Sequence, residues 1–345
     1  MVMLHISVNV KDMCEVTHWT SIHYHLVTSL RVDTMAPDVS SVEVIEREPE
    51  FEKLVAPQAA PRKYQIVYRN ILTFGYAHLT ALLYPLRISI TAGAHRLWTH
   101  RAYKAKLPLQ IILVVLNSLA FQNTAIDWVR DHRLHHRYSD TDADPHNATR
   151  GFFYSHIGWL LVRKHEEVKR RGKFIDMSDI YANPVLCFQR KYAIPFIGTI
   201  CFVLPTIIPM YFFGESLKTA WCIAVLRYVL NLHIAFLVNS AAHIWGNKPY
   251  DRTIKPVQSL PVSFVAFGEG FHNYHHVFPW DYRTAELGNN YLNLTTIFID
   301  FFAKIGWAYD LKSVNDDMIK SRSDRTGDGT NMWGFGDKKN CDKFE

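Results

Sequence analysis

Twenty-one consecutive residues without a charge, Ala193–Phe213, constrain this chain more than any other feature. As an α-helix the run is about 30 Å long, the thickness of a bilayer's hydrocarbon core. Pro195, Pro205 and Pro209 would be awkward in a soluble helix but are tolerated in a membrane helix. After Gly214–Lys218, a second run extends from about Thr219 to Ala242 and carries Arg227, His233 and Asn239. Ionisable groups inside a span usually face protein or water. Together the runs predict a transmembrane hairpin with a tiny loop on one side. Leu107–Phe121 is apolar but only 15 residues long, so it is expected to be a buried or interface-lying helix. Ile71–Ala92, 22 residues interrupted by His78, Pro85 and Arg87, is long enough to cross once and no more. The basic segment Arg163–Lys173 places the central region on the cytoplasmic side. The Asn-x-Thr sequons at Asn147 and Asn293 then fall in the cytosol, where they are inert.

Composition narrows the class. Of 345 residues 48% are apolar and 14% aromatic, which excludes disorder and low complexity as overall descriptions. Lys and Arg total 38 against 32 Asp and Glu, a charge of +6. That suits a membrane surface or a phosphorylated ligand and is too small to argue nucleic acid. Cys14, Cys187, Cys201, Cys222 and Cys341 form no CxxC pair and read as thiols of a reducing compartment. Residues 1–62 are polar and unperiodic, with no basic-then-apolar signal at Met1, and read as a tail; Met35 offers a more ordinary start. The expected organisation is this tail, a membrane domain over 63–310 and a cytosolic C-terminal tail over 311–345. The fold class expected is all-α: an integral membrane helical bundle with a cytosolic helical cap.

The 18 histidines are the compositional anomaly, and eight fall into three clusters. These are His95 with His100, then His132, His135 and His136, then His272, His275 and His276. Residues at i, i+3 and i+4 share a helix face, so each HxxHH presents three imidazoles to one point. The five-residue HxxxxH spacing aligns less well and is expected where a helix ends. Neutral imidazole ligates iron, zinc and copper. Eight exceed what one four- to six-coordinate ion can use, so two ions are the economical reading. Structural zinc recruits Cys, and no Cys lies near a box. Carboxylate-bridged di-iron proteins need paired Glu-x-x-His helices; here Glu15-x-x-His18 sits in the tail and Glu269-x-x-His272 is isolated. An all-nitrogen di-iron centre working with O2 is the expectation. His5, His18, His23, His25, His78, His146, His156 and His165 lack such company and read as structural. Asp140, Asp142 and Asp144 mimic a calcium loop, but Pro145 and Gly151 stand where it needs Gly and Glu, leaving a polar turn.

Around these boxes the chain resembles the membrane-bound fatty acyl-CoA desaturases of the stearoyl-CoA desaturase type, in detail the insect branch. The likeness runs from about Ala60 to Gly336 through ITAGAHRLWTH, DHRLHHRYSDTDADPHN, RGFFYSHIGWLLVRKH, LVNSAAHIWG and GEGFHNYHHVFPWDYRTAEL. It implies two iron ions, a ninth ligand to one of them at His243, and Asn239 approaching the other through water. It implies that Asn123, Arg130, Arg163 and Lys164 hold the CoA nucleotide and phosphates, for which Arg and Lys are chemically suited. The implied reaction is an O2-dependent oxidoreductase step of lipid metabolism in the endoplasmic reticulum. Two hydrogens leave adjacent carbons of a fatty acyl-CoA, and two electrons come from cytochrome b5 and its reductase.

The chain departs from that pattern in one place. The family has two spans before its first box, whereas here only nine residues, Ala81 to Ser89, separate the first-span motif from ITAGAH. About one span of roughly 20 residues is missing. Ala235-Phe236 also replaces the Thr-Trp that mammalian members carry beside the tunnel bend, so the double-bond position does not transfer. Three other readings remain: a di-iron fatty acid hydroxylase, a membrane metal transporter, and an inactive desaturase-like isoform.

Overall fold

The computed structural model describes residues 86–285 and 293–330. The expected tail 1–62, residues 71–85 of the first apolar run, Cys14, Cys341, and His5, His18, His23, His25 and His78 lie outside them.

Helix α1 (Ser89–Thr99) is buried throughout and wound as a π-helix. Its bonds join residues five apart: the His100 N–H donates to the His95 carbonyl at 3.1 Å, and the Thr99 hydroxyl to the Ala94 carbonyl at 2.8 Å. Gly93 makes room for this winding, because the ring of Trp98, five residues on, would sit 3.1 Å from a Cβ there. The wider turn stacks positions i and i+5, which is how HxxxxH comes to share a face.

A strand β1 (Lys104–Ala105) leads into α2 (Leu107–Ala120), which opens on Pro108 and closes on Phe121 in a left-handed conformation, φ 43°. The Thr124 side chain caps α3 (Ala125–Arg137) by accepting from the Asp127 N–H. α2 and α3 meet at 84°, and the pair together is apolar enough for a broken span or a re-entrant segment. The elbow explains how a 15-residue run serves as more than a surface helix. Gln189 fastens it from the helix Pro184–Lys191. Its Oε1 accepts from the Ala125 N–H at 2.9 Å, and its Nε2 donates to Asn117 Oδ1 and Ser118 Oγ, both at 2.9 Å.

The two long runs form α4 (Ala193–Phe213) and α5 (Leu217–Ile244), both long and apolar enough to cross a membrane. Gly214 ends α4 at φ 70°, and the Ser216 side chain caps α5 by accepting from the Thr219 N–H. Arg227 of α5 is buried, turned toward its neighbours: it donates to the carbonyls of Cys201 at 2.7 Å and Leu119 at 3.2 Å. A charge inside an apolar helix is thus satisfied by protein.

The C-terminal half supplies α6 (His272–Val277), α7 (Leu294–Lys304), a strand β2 (Ala308–Tyr309) and α8 (Asp316–Thr326). β2 pairs antiparallel with β1, Lys104 opposite Tyr309 and Ala105 opposite Ala308. Beneath the clasp one core joins Leu109 and Leu113 of α2, Ile126 and Val129 of α3, and Ile299 and Phe302 of α7. Residues 311–330, expected as tail, are docked in part: Val314 and Ile319 pack on Tyr250 and Phe278, and Arg322 pairs with Asp251. The architecture of the described residues is all-α apart from the two short strands.

Replacing Gln189 with Leu keeps its bulk and strands three buried polar partners. The loss expected is roughly 2–4 kcal/mol of stability, read as a lowered Tm of the detergent-solubilised protein; an unchanged Tm would refute the fastening role.

Candidate metal centre

Four elements bring imidazoles to one place. α1 and its C-terminal residue supply His95 and His100, and α3 supplies His132, His135 and His136. The last turn of α5 supplies His243, and α6 supplies His272, His275 and His276. They sort into two adjoining groups, each with its ligand atoms within 4.8 Å of one another. One is His95, His100, His132, His136 and His275; the other is His135, His243, His272 and His276. The three imidazoles of HxxHH thus share a helix face yet divide between the groups, as do those of α6. A third group, His135, Asp144 and His146, shares His135 with the second.

Carboxylates fix the rings. Asp144 Oδ2 lies 2.8 Å from His135 Nδ1, Glu269 Oε2 2.8 Å from His95 Nδ1, and Asp140 Oδ2 3.0 Å from His243 Nδ1. An ionised carboxylate only accepts, so each imidazole donates from Nδ1 and, when neutral, keeps a lone pair on Nε2. Those Nε2 atoms point at other Nε2 atoms: His95 to His275 at 2.8 Å, His243 to His272 at 3.0 Å, and His135 to His276 at 3.3 Å. Each such contact takes a shared proton or a cation between the two nitrogens. His100 and His132 add buried Nε2 atoms with no hydrogen-bond partner among the described residues. The donor set fits metal ions, and nine imidazoles with no thiolate fit two borderline ions such as iron.

Electrostatics keep the donors available. Burial, then the neighbouring imidazoles, holds His100, His132, His136, His272, His275 and His276 well below the ordinary imidazole pKa. His135 is the exception: burial opposes its charge, but Asp144 and Asp140 together raise its pKa. Glu269 is held down at about 2, burial working against His95 and the guanidinium of Arg96. Arg96, fully buried, donates to Glu269 at 2.7 Å and also to Thr296 Oγ1 and the Tyr282 carbonyl.

A cavity of about 180 Å³ opens against this cluster. His95, His132, His272 and Asn239 line it, together with Trp128, Leu232, Ala235 and Phe236. Asn123 lines it too, as does Asp131, where Arg130 and Lys164 meet as ion pairs. Arg163, next in chain to Lys164, is exposed. Among histidines read as structural, His146 joins the cluster, its ring 4.5 Å from that of His135. His156 instead bonds His233 at 3.0 Å, and His165 caps the helix Glu166–Gly172. Sequence reasoning missed Asp140, Asp144 and Glu269. The signal was there, since a ligating imidazole needs an acceptor for its second nitrogen.

Two outcomes follow. Asp144→Ala frees the His135 ring, and metal affinity is expected to fall about 10–100-fold, read by metal titration of the purified protein; unchanged affinity would remove the orienting role. Six imidazoles with folded pKa values below the unfolded ~6.5 bind fewer protons than the unfolded chain under mild acid. The stability these groups contribute to the metal-free protein is therefore full above about pH 7 and falls as the pH drops from 7 to 5. A flat Tm across that window would contradict neutral burial.

The fatty acid desaturase family model matches residues 73–294. The chain is 64% identical to an acyl-CoA Delta(11) desaturase of Trichoplusia ni over 86% of this chain and 91% of that one. It is 62% identical to an (11Z)-hexadec-11-enoyl-CoA conjugase of Bombyx mori, over 81% and 92%. It is 51% identical to an acyl-CoA Delta-9 desaturase of Acheta domesticus, over 89% and 90%. With a family model over most of its length and relatives this similar, the chain belongs to the fatty acid desaturase family.

Proposed function

We propose that the protein is an acyl-CoA desaturase of the endoplasmic reticulum membrane, its imidazole clusters facing the cytosol. It removes two hydrogens from neighbouring carbons of a saturated acyl chain while O2 is reduced to water, with two electrons drawn from cytochrome b5 and its reductase. One observation carries the reading: two adjoining sets of carboxylate-oriented imidazoles stand at the end of a largely apolar cavity. The activities named for its relatives support it.

The residues divide the work. His95, His100, His132, His136 and His275 would hold one iron and His135, His243, His272 and His276 the other, with Asn239 reaching one of the pair through water. When bound, the iron pair supplies the O2-derived oxidising power that an unactivated C–H bond requires, beyond what acid–base chemistry delivers. The chain's own part is positional. Trp128, Leu232 and Phe236 give the alkyl chain an apolar wall that excludes water, so a single bond rests beside His95 and His272. Glu269, Asp144 and Asp140 hold the protons on Nδ1 and so keep each Nε2 free. Asn123, Arg130, Arg163 and Lys164 would hold the CoA nucleotide and phosphates at the cytosolic mouth; a basic surface there also suits an acidic electron donor. The relatives are named for different double-bond positions, so regiochemistry rests with local wall residues such as Ala235 and Phe236.

Expression in desaturase-deficient cells, with double-bond positions read by mass spectrometry, tests the reading. A new monounsaturated acid is expected, and a product retaining oxygen would overturn it. His135→Ala or His276→Ala is expected to abolish the product and lower bound iron. Full iron content with normal product in either would remove the site assignment. Lys164→Ala is expected to raise KM for the acyl-CoA about tenfold, roughly one charge-assisted contact, with kcat little changed; an unchanged KM would place the nucleotide elsewhere.

A further inference from the structure

A second opening reaches the imidazole cluster, and the chemistry above leaves it unused. A groove of about 400 Å³ lies between the end of α6 and one face of α8. Met318, Ser321, Arg322 and Arg325 follow one another at steps of three, one and three residues, so α8 turns a single face to it. His276, Trp280 and Asp251, the ion-pair partner of Arg322, share its lining. Met318, Ser321, Arg325 and Trp280 are exposed, so the groove is open to solvent. It has no lining residue in common with the cavity that would take the acyl chain. α6 borders both: His272 lines that cavity, and His276, one helical turn on, lines the groove. Their Nε2 atoms are 3.1 Å apart and belong to the same imidazole group. An ion held there would be approached from two sides.

The balance of the reaction calls for two approaches. Two hydrogens from the acyl chain, one O2, two electrons and two protons give one double bond and two water molecules. An alkyl chain that occupies the cavity of about 180 Å³ leaves no path along it for gas or water, and it conducts no protons. The groove has the surface this traffic needs. Trp280 and Met318 give it apolar wall that a dissolved diatomic gas can follow. Asp251, Ser321 and Arg325 bring water to the edge of His276, and water carries protons. We propose that this groove is the port through which O2 and protons reach the metal pair, and water leaves it, while the acyl chain fills the other cavity. The proposal rests on the desaturase reading above.

The test follows nitric oxide, a diatomic of about the size of O2, as it binds the reduced, iron-loaded, full-length protein in a stopped-flow spectrometer. Saturating acyl-CoA is expected to change the association rate less than twofold, because the filled cavity is not the way in. Met318→Trp and Ser321→Trp, at exposed positions of α8, are expected to slow association about tenfold or more with acyl-CoA bound. Their affinity for acyl-CoA is expected to stay as in the unaltered protein, and Met318→Ala to keep the unaltered rate. If acyl-CoA blocks nitric oxide in the unaltered protein, or if neither tryptophan slows it, the groove is not the port and the proposal falls. Should the tryptophan variants fail to fold, Met318→Cys labelled after folding with a bulky maleimide places the same plug, with the labelled unaltered protein as control. Rapid nitric oxide entry without any unsaturated product would sink the desaturase reading alone, and a protein that binds no iron would sink both.

Discussion

A carboxylate that accepts one Nδ1 proton determines where the other nitrogen of that imidazole looks, and this constraint recurs three times at the heart of the molecule. Glu269, Asp144 and Asp140 come from three different places in the chain. Each leaves one Nε2 lone pair aimed at a common centre. Without them the rings would be free to rotate, and their close Nε2 contacts would relax by turning away. Arg96 anchors the largest of these assemblies, with Glu269 bridging it to His95. The pair is fully buried, so its attraction is set against a large desolvation cost, and removing either partner would leave an uncompensated charge.

The π winding of α1 solves a spacing problem. Two imidazoles five residues apart diverge on an ordinary helix, yet the ring centroids of His95 and His100 are 4.9 Å apart. Gly93 permits the widened turn and Trp98 fills the space it leaves. The elbow between α2 and α3 does comparable work on a larger scale. It turns a helix buried among apolar neighbours into one that carries three imidazoles to the centre.

Much of this was legible from residue order. The two long apolar runs marked α4 and α5, and the three histidine clusters marked the elements that converge. His243, by contrast, stands alone in sequence and was found only through resemblance. What stayed hidden depends on partners remote in the chain. Asp140 looks like part of a polar turn until His243, 103 positions later, meets it. Gln189 looks like a surface residue until Asn117 and Ala125 close around it. The i+5 alignment was invisible because an ordinary helix period was assumed for HxxxxH. His146 sits one residue beyond Pro145 in the same turn as Asp144, which pattern alone could not distinguish from a structural histidine.

The β1–β2 clasp and the Arg96 contacts make the order of assembly one-directional. During synthesis, α1 leaves the ribosome with a guanidinium and an imidazole, Arg96 and His95, whose shared partner Glu269 is more than 170 residues away. Contacts of such long sequence separation form late. The hydrophobic hairpin is therefore complete while the nascent chain still carries an unmatched polar helix. A chain cut before Tyr309 would keep all nine clustered imidazoles yet lack the β1–β2 pairing that closes over the core of α2, α3 and α7.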